Sequence, residues 1–490
     1  MRDWLIHIKR GEYASLQTQI REALVSAILD RKLDKSEPIP STRKMAKSLG
    51  VSRNTVVLAY QGLLDDGYLL AKERSGYFVS DKAIDNTMAK PRDAKRSGVV
   101  PTELDWKLRV KQRPAALENA VKPSDWQDYT YPFIYGQVDH TLFPLAEWRD
   151  CTRQALGKKW FGAWTNDTWA ADDPLLVEQI RRRILPRRGI MATDDEILIT
   201  LGAQNSLFLL TSLLVDRNTT VAMEEPGYPD MRNMFRLATD HVKLVPLDEK
   251  GLIVGPQLDD VDVVFTTPSH QFPTTVTMPL ERRMALLKKA SEKNFVIIED
   301  DYEFETNYVN EPCPALKSLD DGGRVIYVGS LSKTLFPGLR IGFMVGPKAL
   351  IAEARALRRL MVRHAPNNNQ RTVALFLSLG HHDTLIRRLH KAYRTRWEIM
   401  GKALETHFPS SSRIPSFGGT SFWVKGSPKL DSEVLTKAAA AKSILIEPGR
   451  VNFGATQQPR NYFRLAFSSI DEKKIEAGVK LLAETIKVLS

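Results

Sequence analysis

Short apolar segments alternate with longer helical patterns from about Tyr131 onward, and this alternation constrains the fold of the chain more than any other feature. Five such segments have the length and apolar character of buried strands: 196–200, 221–223, 263–266, 295–298 and 325–328. Strands separated by helices predict an α/β domain with a mainly parallel sheet. Ligands of such sheets bind at the carboxyl ends of the strands.

A lysine framed by hydroxyl residues follows the last of these segments. The run reads Ser330-Leu331-Ser332-Lys333-Thr334, and Arg340 lies seven positions after the lysine. Burial and nearby cations lower the pKa of a lysine, which makes its amine a nucleophile. Arg340 could bind a phosphate group with two hydrogen bonds. A surface lysine on a serine-rich loop remains the alternative.

Three more predicted strands end in residues suited to a ligand. Ala203 and Gln204 open a helix directly after a strand, where backbone amides can bind phosphate. Tyr228 could stack on an aromatic ligand. Asp300 and Tyr302 follow a fully apolar strand. Each of these positions also has an ordinary interpretation, as a simple turn, a core tyrosine or a carboxylate cluster at the surface or at a metal.

Arg464 stands between apolar residues in Tyr462-Phe463-Arg464-Leu465. A guanidinium in apolar surroundings needs an anion. That anion is either a ligand carboxylate or an internal aspartate or glutamate. Asp230, two positions after Tyr228, could bind a second amine if it faces the same pocket, although a surface position is equally compatible with the sequence.

The first eighty residues predict three helices and a two-stranded wing. The first helix carries apolar residues at helical spacing, including Leu16, Ile20, Leu24 and Ile28. Ser41 and Ser52 are suited to cap the next two helices, Gly50 supplies the turn between them, and Gly67 ends the third helix. The apolar face of the third helix is predicted to contain Val56, Val57, Tyr60, Leu63 and Leu64. Apolar residues 68–70 and 77–79 then predict the strands of the wing.

Two helices joined by a tight turn predict a helix-turn-helix, whose second helix enters the major groove of double-stranded DNA. The alternative is a small helical bundle with a solvated basic face. We expect guanine or phosphate contacts from the second helix, backbone contacts from the start of the preceding helix, and minor-groove contacts from the wing. The predicted DNA-binding residues are Arg43, Lys44, Ser52, Arg53, Asn54, Thr55, Lys72, Arg74 and Gly76.

Residues 81–125 predict a basic flexible linker between domains at 1–80 and 126–490. Periodicity fades there, and lysine, arginine and proline accumulate. The net charge of +12 favours a polyanionic partner. The two cysteines, Cys151 and Cys313, form no metal motif. No segment has the length of a membrane span or the pattern of a signal peptide, so we expect a cytoplasmic protein.

The N-terminal module resembles the winged-helix domain of the GntR regulator family. The resemblance is carried by residues 39–46, 51–56 and 64–69. The wing departs from the family pattern because Arg74, rather than glycine, precedes Ser75. The resemblance is therefore less complete in the wing than in the helices.

The order and context of the strand-end residues resemble the aspartate-aminotransferase fold, the type I pyridoxal phosphate enzymes, over about residues 125–490. Together the two modules resemble the MocR branch of the GntR family. The resemblance implies a homodimer that binds operator DNA and senses an amino acid or amine by forming an external aldimine. It implies that Lys333 forms the Schiff base and that Arg464 binds an effector carboxylate. The other implied cofactor residues are Asp300, Tyr302, Arg340, Ser330, Ala203, Gln204 and Tyr228.

One loop departs from the aminotransferase pattern. Transaminases have Asn-Pro-Thr-Gly there, and this chain has His270, Gln271 and Phe272 before Pro273. Phe272 cannot donate the hydrogen bond that the asparagine makes to the cofactor 3-oxygen. His270 or Gln271 could replace it in part, or could simply pack within the loop. The departure favours a regulator, and an active aminotransferase with an attached DNA-binding module is the alternative.

Overall fold

A computed structural model describes residues 8, 14–73, 75–80, 104–309, 313–409 and 418–489. Contacts between residues divide the chain into two compact units, residues 1–109 and 110–490. No helix in these described ranges is long and apolar enough to cross a membrane.

The N-terminal unit contains the predicted helices and wing: α1 (Leu16–Leu29), α2 (Thr42–Leu49), α3 (Arg53–Asp65), β1 (Leu69–Lys72) and β2 (Gly76–Val79). Ser41 and Ser52 cap α2 and α3 through their side chains, and Gly50 ends α2. β1 and β2 pair antiparallel. The prediction for Val57 was wrong, because this side chain is 38% exposed while Val56 is buried. Successive helical residues point about 100° apart, so the two cannot share one narrow apolar face.

Only part of the predicted linker lies in the described residues. Residues 104–110 include the short helix α4 (Trp106–Arg109). Further along, Glu118 belongs to the C-terminal unit and is held by distant parts of it: Asn233 donates a hydrogen bond of 2.9 Å to the Glu118 carbonyl, and Arg450 pairs with the Glu118 carboxylate at 3.0 Å. This part of the predicted linker is therefore anchored.

An eight-stranded sheet forms the centre of the C-terminal unit, in the order β4-β11-β10-β9-β8-β5-β6-β7. The pairs β10–β9, β9–β8, β8–β5 and β5–β6 are parallel, and the pairs of β11 with β10 and β4 are antiparallel. The bounds are β4 (Ile197–Thr200), β5 (Val221–Glu225), β6 (Val242–Asp248), β7 (Gly251–Leu252), β8 (Val263–Thr266), β9 (Val296–Asp301), β10 (Val325–Ser330) and β11 (Gly342–Val345). All five predicted strands are present.

Helices pack on the large sheet, and two smaller sheets complete the described part of the C-terminal unit. The helices are α5 (Leu145–Ala155), α6 (Phe161–Thr165), α7 (Pro174–Gln179), α8 (Ala203–Leu214), α9 (Pro229–Ala238), α10 (Leu280–Lys293), α11 (Lys348–Val362), α12 (Asn367–Ser378), α13 (His381–His407), α14 (Ser432–Ala440) and α15 (Glu472–Leu489). A three-stranded antiparallel sheet has the order β12-β15-β14, and β3 pairs with β13. These strands are β3 (Tyr131–Pro132), β12 (Ser421–Lys425), β13 (Ile444–Leu445), β14 (Glu447–Pro448) and β15 (Tyr462–Ala466).

The packing of the large sheet explains why its strands read as continuous apolar runs. All residues of β4, β8, β10 and β11 are buried. Parallel strands covered by helices on both faces have no solvent-facing side, so they lose the polar alternation of half-exposed strands. The polar residues at the carboxyl ends of the strands that run in parallel then lie along one edge of the sheet.

Candidate functional site

Lys333 lies just after β10 and points its amine at an aromatic ring. Its Nζ is 4.2 Å from the centre of the Tyr135 ring. A Cβ at Gly136, which has φ +75°, would come within 2.8 Å of that Nζ, so glycine leaves the room that the amine needs. Burial, followed by the nearby charge of Lys122, lowers the pKa of Lys333 to about 8. The amine is therefore much closer to its neutral, nucleophilic form than an exposed lysine.

Asp300 lies at the end of β9, in register with Val328 of β10. Its carboxylate is buried, and Oδ1 has no hydrogen-bond partner among the described residues. Burial, and then the charge of Asp301, raise the pKa of Asp300 to about 8. A buried carboxylate in this condition is suited to a cationic ligand atom.

The two neighbouring carboxylates, Glu299 and Asp301, accept hydrogen bonds from within the protein. Asp301 accepts hydrogen bonds from Arg188 at 2.8 Å and from the Tyr327 hydroxyl at 3.0 Å. Glu299 accepts the backbone amides of residues 316 and 317 at 2.8 and 2.9 Å. Within the acidic run, Asp300 is therefore the carboxylate that faces the pocket.

A cradle for an anion lies at the start of α8. Gly202, with φ +88°, turns the chain from β4 into this helix. Arg340 donates a hydrogen bond of 2.7 Å to the Leu201 carbonyl, and its Nη2 lies 3.2 Å from the point a Cβ on Gly202 would occupy. Exposed Arg340 and the positive end of α8 thus face the same space.

Four aromatic side chains form the walls of the pocket. The Phe272 ring lies 5.2 Å from Tyr228, 5.8 Å from Tyr135 and 6.0 Å from Tyr302, each edge to face. The Tyr228 hydroxyl lies 2.7 Å from Gln204 Oε1 and 3.0 Å from Asp230 Oδ2, and either oxygen can accept its one hydrogen. Asp230 therefore serves to fix Tyr228, which weakens the expectation that it binds a second amine.

Of His270, Gln271 and Phe272, only Phe272 lines the pocket. Gln271 donates to the Glu224 carboxylate at 3.1 Å and to the Pro226 carbonyl at 2.9 Å. His270 is buried, and its ring approaches Gly418 and Gly419. His270 and Gln271 therefore both pack within the protein, which is one of the two possibilities that the sequence allowed.

Arg464 lies behind the aromatic wall, with its Cζ 4.0 Å from the centre of the Tyr135 ring and 4.5 Å from that of Phe272. Its Nε and Nη2 donate to Glu447 Oε2 at 2.8 and 2.5 Å. Burial alone raises the pKa of Glu447, but Arg464 and Lys122 outweigh burial and hold this pKa below its ordinary value. The anion that Arg464 needs is therefore supplied by Glu447, an internal carboxylate, which is one of the two possibilities that the sequence allowed.

All eight residues predicted to hold a cofactor line one cavity of about 150 Å³: Lys333, Asp300, Tyr302, Arg340, Ser330, Ala203, Gln204 and Tyr228. Arg464 contacts two of the other lining rings. The sequence prediction did not include Tyr135, Gly136, Lys122 or Glu447. The available sequence signal was an aromatic residue followed by glycine, at Tyr135 and Gly136, and this pair of residue types is too common to indicate a ligand site.

The predicted DNA-binding residues lie in the N-terminal unit. Arg53 and Asn54 are exposed in the first turn of α3, and Arg43 and Lys44 are exposed in the first turn of α2. The Ser52 hydroxyl is engaged as the cap of α3, 2.8 Å from the Thr55 hydroxyl. In the wing, Gly76 is exposed and Lys72 lies 4.5 Å over the Phe78 ring. Arg74 lies outside the described residues.

Two family models match the chain. Residues 16–79 match the model described as "Bacterial regulatory proteins, gntR family", and residues 172–482 match "Aminotransferase class I and II". Among solved structures, the kynurenine aminotransferase of Pyrococcus horikoshii has a TM-score of 0.67 and 29% identity, covering 75% of this chain and 95% of that chain. The fold of the C-terminal unit is therefore that of the aminotransferases.

Curated relatives match over nearly the whole length. The HTH-type transcriptional regulator TauR of Rhodobacter capsulatus is 45% identical over 97% of this chain and 98% of the relative. The probable rhizopine catabolism regulatory protein MocR of Rhizobium meliloti is 30% identical over 99% of this chain and 96% of the relative. The chain belongs to the MocR-type branch of the GntR family of transcriptional regulators, in which a helix-turn-helix domain is joined to an aminotransferase-like domain.

Proposed function

We propose that the C-terminal domain binds pyridoxal phosphate covalently at Lys333 and uses it to sense an amino acid or amine that controls the binding of operator DNA. The observation that carries this proposal is the buried Asp300 oxygen without a partner in the described structure, in the same cavity as Lys333. An unsatisfied buried carboxylate is unfavourable unless a cation or donor completes it. A protonated pyridine nitrogen is such a donor.

The other lining residues fit the remaining parts of the cofactor. Arg340, Ser330 and the amides of Ala203 and Gln204 are suited to the phosphate, because a guanidinium and a helix start both favour an anion. Tyr228 supplies an aromatic face, and Tyr302 a phenol for the 3-oxygen. When bound, the cofactor supplies an aldehyde carbon that reacts with primary amines, which gives the domain its selectivity for amino compounds.

The protein contributes a nucleophile and a closed, aromatic environment. Lys333 supplies an amine whose pKa is lowered to about 8, so a useful fraction is neutral near physiological pH. The Tyr135 ring lies against this amine, and Phe272 and Tyr302 pack on Tyr135. An effector can shift the regulator only by having different affinities for its two states. We infer that the release of Lys333 by an effector amine is part of that difference.

The N-terminal domain is proposed to bind double-stranded DNA through α3. The exposed side chains of Arg53 and Asn54 at its start are suited to base edges, while Arg43 and Lys44 are suited to phosphates. If the chain is a homodimer, as proposed from its family, two copies of α3 predict paired half-sites in the operator.

DNA selection from a random pool tests this function. The purified chain, loaded with pyridoxal phosphate, should enrich one sequence family with two related half-sites. Screening amino acids and amines for a change in affinity for that DNA should then identify an effector. The response should disappear in Lys333→Ala while the affinity without effector persists. An unchanged response in Lys333→Ala would rule out sensing through this residue.

An active aminotransferase is the second candidate, and the convergence on one cavity of all eight residues predicted to hold a cofactor favours it as well. Phe272 argues against efficient turnover because its ring can donate no hydrogen bond to the cofactor. A single-turnover assay separates the two candidates. Keto-acid formation sustained at ordinary enzyme rates, about 1–1000 per second, would favour the aminotransferase.

A further inference from the structure

Three cations lie around the ring of Tyr135. The Lys333 Nζ is 4.2 Å from the ring centre, the Arg464 Cζ 4.0 Å and the Lys122 Nζ 5.3 Å. The face of an aromatic ring carries partial negative charge and attracts cations, most strongly where water is excluded. Tyr135 is only 4% exposed, so these contacts are made in a largely desolvated environment.

Two glutamates stand near these cations, and they are occupied differently. Glu447 accepts both hydrogen bonds of Arg464 through Oε2 and is committed to that guanidinium. Glu303, which follows Tyr302 outside the cavity lining, accepts a hydrogen bond of 2.6 Å from Thr420 at Oε1. Its Oε2 is buried and has no hydrogen-bond partner among the residues that the structure describes. Glu303 therefore keeps negative charge available for a cation nearby.

Charge connects Glu303 to the Tyr135 ring and to the lysine amine that lies on it. Burial raises the pKa of the Tyr135 hydroxyl well above its ordinary value, and the charge of Glu303 is the next largest cause. Burial lowers the pKa of Lys333, and Glu303 acts against that change. One carboxylate thus favours the ammonium form of Lys333 and keeps the hydrogen on the hydroxyl of the ring.

The remaining charges around Lys333 do not replace this contribution. Two neighbouring cations add to the effect of burial and lower its pKa: Lys122 and Arg464. Glu447 raises the pKa less than Glu303 does, and Asp300 faces the same amine from the end of β9. Because Asp300 is the carboxylate proposed to meet the cofactor, Glu303 is the group left to balance a free lysine.

The charge of Lys333 changes when an effector amine replaces it on the cofactor. The double bond of the cofactor carbon passes from the Lys333 nitrogen to the effector nitrogen. The three hydrogens and the positive charge of the incoming ammonium end on the lysine nitrogen that leaves. A buried ammonium is unfavourable unless a negative charge or a ring face compensates it. That compensation therefore enters the equilibrium between the two amines.

We propose that the face of the Tyr135 ring, with Glu303 beside it, holds the ammonium of Lys333 whenever an effector amine has replaced this residue on the cofactor, and so sets how readily the replacement occurs. Tyr135 and Glu303 are positioning residues, because they act through Lys333. The consequence for the effector rests on the proposed function, whereas the contact between the ring and the amine can be tested without a cofactor.

Competitive acetylation of the cofactor-free full chain tests the contact. A trace of acetic anhydride is added at each pH, and mass spectrometry of the peptides gives the midpoint at which Lys333 becomes reactive. Glu303→Gln should lower this midpoint from about 8 by roughly half a unit to one unit, because the ammonium loses a nearby negative charge. Tyr135→Leu, which removes the ring face, should lower it by a similar amount, and Tyr135→Phe should retain it.

Two internal controls separate this effect from general changes in the fold. Glu305 belongs to the same segment and is buried, but it faces His382 at 3.2 Å. Glu305→Gln should therefore leave the Lys333 midpoint unchanged. The exposed Lys442, labelled in the same samples, should keep one midpoint in all variants. An unchanged or raised Lys333 midpoint in Glu303→Gln or Tyr135→Leu, or an equal shift in Glu305→Gln, overturns the inference.

Methylamine, which has no acidic group, measures the consequence on the cofactor-loaded chain. At pH 6, where Lys333 is protonated in every variant, its dissociation constant from absorbance should rise about three- to tenfold in Glu303→Gln, the factor that corresponds to the expected midpoint shift. A shifted midpoint with an unchanged constant would also overturn the inference. A wild type that retains no cofactor at Lys333 would reject the proposed function, while the acetylation midpoints would still decide whether the ring holds the ammonium.

Discussion

Glu447 and Arg464 face each other across the antiparallel pair of β14 and β15 and form a buried ion pair behind the pocket. The position of an arginine in an apolar strand predicted the need for an anion, and the structure supplies one from within the protein. The guanidinium also packs on the rings of Tyr135 and Phe272, which line the pocket.

This pair should behave as one unit in a double-mutant cycle. Removing either partner leaves a buried charge without compensation, and each single change, Glu447→Gln or Arg464→Leu, should lower the free energy of unfolding by about 3–5 kcal/mol. The double variant should lose much less than the two singles together. Denaturant unfolding of the four proteins measures the coupling, and additive losses would show that the pair is not coupled.

Asp300→Asn and Asp301→Asn should change the stability of the cofactor-free protein in opposite directions. In the cofactor-free protein, the folded-state pKa of Asp300 is raised to about 8, above its unfolded value. Its contribution to stability is therefore complete at pH values below the unfolded pKa and is lost as the pH rises towards 8. Asp300→Asn should stabilise the cofactor-free protein at pH 8, by up to a few kcal/mol (~1.4 per pKa unit), and have little effect at pH 4.

Asp301→Asn is the matched control, because it removes the partner of Arg188 and should destabilise the fold by about 3–5 kcal/mol. With cofactor added, Asp300→Asn should bind it far more weakly than the wild type. Equal thermal shifts for both variants at pH 8 would contradict the different roles assigned to the two carboxylates.

Lys333 should capture an aldehyde with a pH midpoint near its own pKa of about 8. Because the neutral amine reacts, the rate should rise through that pH and level off above it, whereas an ordinary lysine reaches its plateau above pH 10. Lys122→Met removes a repelling charge and should move the midpoint upward. The rate of pyridoxal phosphate incorporation as a function of pH measures both midpoints, and a Lys333 midpoint above pH 10 would be inconsistent with a perturbed amine.

Arg53 and Lys44 should affect DNA binding in different ways. Arg53→Ala should lose about 1–3 kcal/mol of discrimination between the selected operator and sequences altered at one half-site position. Lys44→Ala should weaken binding to all DNA sequences alike. It should also reduce the slope of log affinity against log salt concentration by about one. Binding curves at several salt concentrations distinguish these effects. Loss of discrimination in Lys44→Ala alone would reverse the assignment.

Sequence reasoning found the residues that stand at strand ends and helix starts. Lys333, Asp300 and Ala203 each follow a recognisable apolar strand, and parallel strands bring their carboxyl ends together. Tyr135 and Glu447 were not predicted because they come from segments nearly 200 residues before and more than 100 residues after Lys333, outside the large sheet. No local periodicity encodes a contact of that kind.

Lys122 was assigned to a linker for a related reason. Its neighbours in sequence are polar and aperiodic, and the anchoring of the segment depends on Asn233 and Arg450, which are distant along the chain. The wrong prediction for Val57 has a different cause. It followed from the apolar residue type and not from the position of the residue around the helix. An apolar residue adjacent to a core position on a helix need not share its burial.

Reductive trapping at position 333 tests the central claim most directly. The full chain is incubated with pyridoxal phosphate, reduced with borohydride, digested, and its peptides are weighed. The account predicts that the peptide containing Lys333 carries the reduced cofactor, and that Lys333→Arg yields no labelled peptide at any other position. A cofactor mass absent from that peptide, or found equally on surface lysines, would contradict the account.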